Sequence, residues 1–172
     1  MSREIGAGAN LTTPTKRLTI ASTRYKSNSN PRAQSLDISP KSTAIITVVI
    51  LTKNGERDVG RCLAGVFRQK TTQPVEVIVM DSGSTDKTLD IVRRFPVRLH
   101  AIDPSQFNHG ETRNLAARLS HGDFLVYISQ DAEPVDEFWL QNLIRPFAHD
   151  QKIAGVCSRI VPRLNSNPII QR

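Results

Sequence analysis

The sequence predicts an α/β fold, a mainly parallel sheet flanked by helices. Two observations carry the prediction. Short apolar, β-branched runs recur from Ala44 onward, the pattern of strands covered on both faces. Between them lie segments of about ten residues whose apolar side chains fall three and four apart, one face of a helix. Strands alternating with such helices mean βαβ units, hence parallel strands joined by right-handed crossovers. At 172 residues the chain holds one domain with a real core, not two.

The elements follow in order. Ala44–Leu51 is the first core strand, and "TKNGERD" is the turn-rich loop after it. Val59, Cys62, Leu63, Val66 and Phe67 then mark one helix face. "VEVIVM", Val75–Met80, is the second strand. "DSGSTDKT" follows as a loop in which Ser84 or Thr85 can cap the next helix. That helix is lined by Leu89, Ile91, Val92 and Phe95, and Pro96 ends it. Val97–Ile102 reads as a third strand and "DPSQFNHG" as a loop. Glu111–Leu119 is a short helix carrying Leu115, Ala116 and Leu119, and Gly122 breaks that helix before the strand Phe124–Ser129. Asp136–Phe147 reads as a helix with Phe138, Leu140 or Trp139, and Leu143 inward, and Ile153–Val161 as a fifth apolar strand.

Residues 1–42 have a different texture, rich in Ser, Thr and Asn, with Pro14, Pro31 and Pro40. Seven cations stand there against Glu4 and Asp37, a net +5 of the chain's +7. Such a segment buries too little apolar surface to offset its ordering entropy, so it reads as a disordered basic tail. Its charge allows peripheral contact with anionic lipid. No stripe of Lys and Arg with interleaved aromatics continues into residues 43–172, so nucleic acid is not an expected partner. The two cysteines, Cys62 and Cys157, sit among apolar neighbours and read as buried thiols. The run "AIITVVIL" is far shorter than the ~20 residues that span a bilayer.

In open α/β sheets ligands sit outside the carboxyl ends of the strands. Thr52, Lys53 and Asn54 follow the first strand, Asp81 and Ser82–Ser84 the second, and Gln130, Asp131 and Glu133 the fourth. Asp131 is placed either to meet Mg²⁺ or Mn²⁺, hard ions that prefer oxygen, or to cap its turn. Asp81 can accept from a nucleobase N–H or a ribose hydroxyl, or close an Asx-turn over Gly83. Arg113, in "FNHGETRN", can stack on a base, meet phosphate, or pair with Glu111. His109 can donate to a phosphate or hydroxyl, or be a plain loop residue. Neither GxGxxG nor GxxxxGK[ST] occurs, which disfavours dinucleotide and P-loop sites.

Assembled in order, "VVILTKNGERDVGRCLAGVFRQ", "EVIVMDSGSTDKTLDIV", "TRNLAARLSHGDFLVYISQDAEP" and "FWLQNLIRPF" resemble family 2 glycosyltransferases of the Rossmann-like GT-A fold, from about Ile45 to Pro162. "FNHGETRN" followed by "SQDAEP" is most similar to rhamnosyltransferase-type members. The resemblance implies a nucleoside-diphosphate sugar donor, a glycan or lipid-linked acceptor, a divalent metal, and work in the cytoplasm or at the inner face of the membrane. It implies a donor-binding set of Thr52, Asp81, Arg113, Asn114, Gln130 and Asp131, with Asp131 on metal and diphosphate. Ser129 stands where the family's DxD motif has its first acid, so one carboxylate ligand is missing. Members continue well past this point into an acceptor site and a general base. Residues 43–172 are therefore expected to be a partial GT-A domain with no assigned catalytic residue, and an exposed sheet edge would favour self-association. Three functions compete: a metal-assisted inverting glycosyltransferase, a non-catalytic nucleotide-sugar-binding module, and an interaction protein acting through its tail.

Overall fold

The computed structural model describes Thr23–Arg24 and residues 44–150 and 152–162. Five strands form one sheet in the order β1-β5-β2-β3-β4. They are β1 (Thr23–Arg24), β2 (Ile46–Thr52), β3 (Val75–Asp81), β4 (Arg98–Ala101) and β5 (Phe124–Ser129). β2 through β5 run parallel, and β1 pairs antiparallel with the outer edge of β5. The expectation of a disordered tail over residues 1–42 otherwise lies outside the described residues.

β2 sits at the centre because it can be covered from both sides: Ile46 through Ile50 are all buried. Ile46, Val48 and Ile50 point to one face, packed by helices α1 (Val59–Phe67), α2 (Thr88–Val92), α4 (Trp139–Ile144) and α5 (Pro146–His149). Val49, with Ile78, Met80 and Leu125, points to the other, packed by α3 (His109–Leu119). A short 3₁₀ turn, Pro104–Gln106, links β4 to α3.

Several expectations need correction. The segment 153–161 is not a strand. Ile153 and Val156 pack on the core, but among the described residues no strand pairs with this stretch, and Ile160 and Val161 are 90% and 58% exposed. The helix expected over Asp136–Phe147 is two short ones, because Pro146 has no N–H to continue α4 and serves instead near the start of α5. Phe138 is exposed, under Lys70, whereas Leu140 and Leu143 are buried. Neither Ser84 nor Thr85 caps α2; Asp86 accepts from the Thr88 N–H instead, at 2.9 Å. α3 starts at His109 because Asn108 caps it, accepting from Gly110 and Glu111. Cys62 is buried but Cys157 is exposed.

Candidate functional site

The parallel register gathers the strand ends. Thr52 lies beside Asp81, and Leu51 beside Ser129, so the carboxyl ends of β2, β3 and β5 open onto one edge. Asp81 is enclosed there, 2% exposed, as are Thr52 and Ser82. Its Oδ2 accepts from the backbone N–H groups of Gly83 (3.0 Å) and Ser84 (2.9 Å). Its Oδ1 accepts from the hydroxyls of Thr52 (3.0 Å) and Ser84 (2.5 Å). The Asx-turn over Gly83 is therefore present, and Gly83 serves it with φ 84° in the left-handed region. All four donors to the carboxylate are uncharged.

Two loops interleave beside it. The N–H groups of Asn54, Gly55 and Glu56 donate to Ser84 Oγ (2.9 Å), Thr88 Oγ1 (2.7 Å) and Asp86 Oδ2 (3.1 Å). In return, the N–H groups of Thr85 and Lys87 donate to Asn54 Oδ1 (2.9 Å) and Glu56 Oε2 (3.1 Å). The sequence offers Ser84, or Thr85, as a helix cap and places Ser84 among the polar residues after the second strand. Its role as the second hydroxyl on Asp81 has no signature in composition, because it depends on a turn bringing position i+3 back to the carboxylate.

Gln130 and Asp131 form the turn after β5. The Gln130 side-chain amide faces the Lys53 peptide with both polar atoms, Oε1 accepting at 3.1 Å and Nε2 donating at 3.1 Å. Asp131 is exposed and accepts from the Ser129 hydroxyl. Beneath them lies Cys62, whose Sγ contacts the Ser129 carbonyl at 3.5 Å. Burial pushes this thiol up to about 12, with the negative charges of Asp131 and Glu133 adding to the effect. Among the described residues no three His, Cys, Asp or Glu side chains group to hold a metal.

Arg113 sits in the first turns of α3. Among the described residues its buried Nε has no hydrogen-bond partner, and its Nη1 reaches only the His109 carbonyl, at 3.5 Å. No ion pair joins it to Glu111 among the described residues. Tyr127, on β5, donates its hydroxyl to the Arg113 carbonyl at 3.0 Å; burial raises the phenol to about 12, against the pull of the nearby guanidinium. Asn114 is half-buried next to it, while His109 is exposed and meets the Phe107 ring edge-on.

Similarity to known proteins points the same way. The model of the family described as Glycosyl transferase family 2 matches residues 47–172. The chain is 38% identical over 104 residues to the O-antigen chain rhamnosyltransferase WbaN of Salmonella anatum, covering 60% of this chain and 33% of that protein. It is 36% identical over 126 residues to the O-antigen chain rhamnosyltransferase RfbN of Salmonella typhimurium, covering 72% and 40%. The chain thus spans well under half the length of either relative. Among solved structures it resembles the mannosyltransferase PcManGT from Pyrobaculum calidifontis in complex with GDP-Man and Mn²⁺ (TM-score 0.53, 26% identity, 67% of this chain and 36% of that one). It shares its fold with S. aureus TarS 1–349 (TM-score 0.55, 24% identity, 69% and 38%). The GT-A architecture expected from the sequence is borne out.

Proposed function

The chain belongs to glycosyl transferase family 2, and on that premise we propose that it binds the donor in a transfer of sugar from a nucleoside diphosphate to an acceptor hydroxyl. The O-antigen chain relatives support rhamnose as the sugar and a glycan or lipid-linked acceptor. On the same reading we place its work in the cytoplasm or at the inner face of the membrane, as the sequence resemblance implies. Among the described residues no helix is long and apolar enough to cross a membrane.

The observation that carries the reading is the Asp81 carboxylate, buried at the mouth of the central strands and held, among the described residues, by uncharged donors alone. Two of those donors are backbone N–H groups and cannot turn away. The other two are hydroxyls, which rotate. A nucleobase N–H would therefore replace a hydroxyl at Oδ1. One exchangeable oxygen suits the single imide N–H of uracil or thymine better than the paired N–H groups of guanine. Thr52 borders that base, and Arg113, with its unpartnered Nε, and Asn114 border the nucleotide.

Asp131 and the Ser129 hydroxyl fit Mg²⁺ or Mn²⁺, which commonly take one or two carboxylates and complete their shell with phosphate oxygens and water. Bound there, the ion would offset the charge developing on the leaving diphosphate. The inverting displacement we propose also requires a base to take the acceptor proton. The acids near Asp131 have other partners: Glu133 is 3.7 Å from Arg68, and Asp136 caps the Phe138 N–H at 2.8 Å.

Calorimetry with uridine, thymidine and guanosine diphosphates tests the reading. The pyrimidine nucleotides should bind about tenfold or more tightly than guanosine diphosphate, and Mg²⁺ or Mn²⁺ should strengthen them. Asp131→Ala should abolish that metal effect. Identical affinities with and without metal would sink the metal assignment, and equal binding of guanosine diphosphate the base assignment. A second reading, a module that binds the nucleotide sugar without transferring it, is favoured by the partners that Glu133 and Asp136 already hold. Binding without turnover of donor and acceptor would favour it.

A further inference from the structure

Gln130 stands between the two ends of the proposed donor site. Its amide pairs edge-on with the Lys53 peptide through two hydrogen bonds of 3.1 Å. It takes the place that a further peptide of β5 would hold, since the β2–β5 ladder ends at Leu51 and Ser129. The fit is close: a Cβ on Gly55 would lie 2.3 Å from Gln130 Oε1 and 2.6 Å from its Cδ. Lys53 leads directly to Asn54, which is held at φ 47°, a left-handed conformation that Asn tolerates better than most residues. The Asn54 N–H donates to Ser84 Oγ, and the same hydroxyl donates to Asp81 Oδ1. A continuous series of contacts therefore runs from the segment bearing Asp131 to the carboxylate of Asp81.

We infer that Gln130 is a positioning residue that ties the Ser129–Asp131 segment to the loop bracing Asp81, so that the diphosphate end and the base end of the donor are gripped cooperatively. The inference rests on the nucleotide-sugar reading. It assigns Gln130 a part that its position in the sequence does not reveal: it serves the donor through Lys53, with both polar atoms turned to that peptide. Coupling of this kind is a difference in binding free energy between two sites, and it acts equally in both directions.

The test uses the full chain, with Mn²⁺, uridine and thymidine diphosphates, and the bare nucleosides as probes. Gln130→Met keeps the side-chain length and removes both hydrogen bonds. Gly55→Ala dislodges the amide without altering it. In wild type, Mn²⁺ should tighten the diphosphates. In both variants that enhancement should fall by about fivefold or more, while nucleoside affinity stays within about twofold, since none of the four donors to Asp81 is lost. In the free chain, amide hydrogen exchange at Lys53 should accelerate in Gln130→Met. An unchanged metal enhancement in both folded variants overturns the inference, and so does unchanged Lys53 exchange. Wild-type protein that binds no nucleotide overturns the donor reading, and the coupling falls with it; the exchange result separately decides whether the clamp exists.

Discussion

Strand β3 carries two carboxylates, Glu76 near its amino end and Asp81 at its carboxyl end. Each accepts a hydrogen bond from the threonine in register on β2: Thr47 donates to Glu76 at 2.8 Å, and Thr52 to Asp81 at 3.0 Å. Beyond that shared pair the two surroundings diverge. Glu76 also meets the Arg98 guanidinium, the His121 ring and the His121 N–H. Burial alone would raise its carboxyl. The hydrogen bonds from the His121 backbone, Thr47, Arg98 and the His121 ring outweigh burial and hold it down, from 4.5 to about 2. Among the described residues Asp81 meets only hydroxyls and backbone N–H groups. One end of the strand closes its anion with the protein's own Arg98 guanidinium. The other keeps an enclosed carboxylate whose hydroxyl partners can rotate away, as the proposed nucleobase contact requires.

The largest effect should separate the two acids by binding. Asp81→Asn should weaken uridine or thymidine diphosphate by about tenfold or more, the scale of a hydrogen bond to a charged group, and Glu76→Gln should change it by less than about twofold. Equal losses in calorimetry would break the contrast. Stability should show the reverse order. An Asn at 81 still accepts from the two backbone N–H groups, and its NH₂ can donate to the two hydroxyls, so urea unfolding should shift little. Glu76→Gln should cost about 1–2 kcal/mol at neutral pH, the exposed His121 side contributing least. The pH profile sharpens this. A carboxyl depressed in the folded state stabilises above its unfolded value and loses that contribution as pH falls through its folded value. Wild-type stability should therefore decline between pH 4.5 and about 2, and Glu76→Gln should flatten that decline. The smallest effect is Thr47→Val, about 1 kcal/mol in the same unfolding experiment, with nucleotide affinity unchanged.

Much of this was legible in the sequence. β2, β3 and β5 announce themselves as apolar runs because both faces are covered, and the observed ends fall within two residues of the expected ones. Phe124–Ser129 coincides fully. Periodicity fails where it counts side chains without a pairing partner, as in 153–161, and where a proline divides one apolar face between two helices, as at Pro146. The strand-end residues Thr52, Asp81, Gln130 and Asp131 were legible because a parallel sheet delivers them to one edge. The role of Gln130 was not, because a glutamine pairing with a peptide 77 residues away leaves no local pattern. The Glu76 cluster was missed for a related reason: Thr47, Arg98 and His121 come from separate elements, and His121 alone reads as solvated surface.

The interleaved loops on either side of Asp81 bear on how such chains can be altered. Five hydrogen bonds alternate between residues 54–56 and 84–88, each N–H matched to a particular oxygen about thirty positions away. Surface loops usually tolerate changes of length. Here a single-residue insertion or deletion in either loop would put its partner out of step at every bond. The two segments therefore behave as one cassette, and a chimera that exchanges one between homologues must carry the other with it.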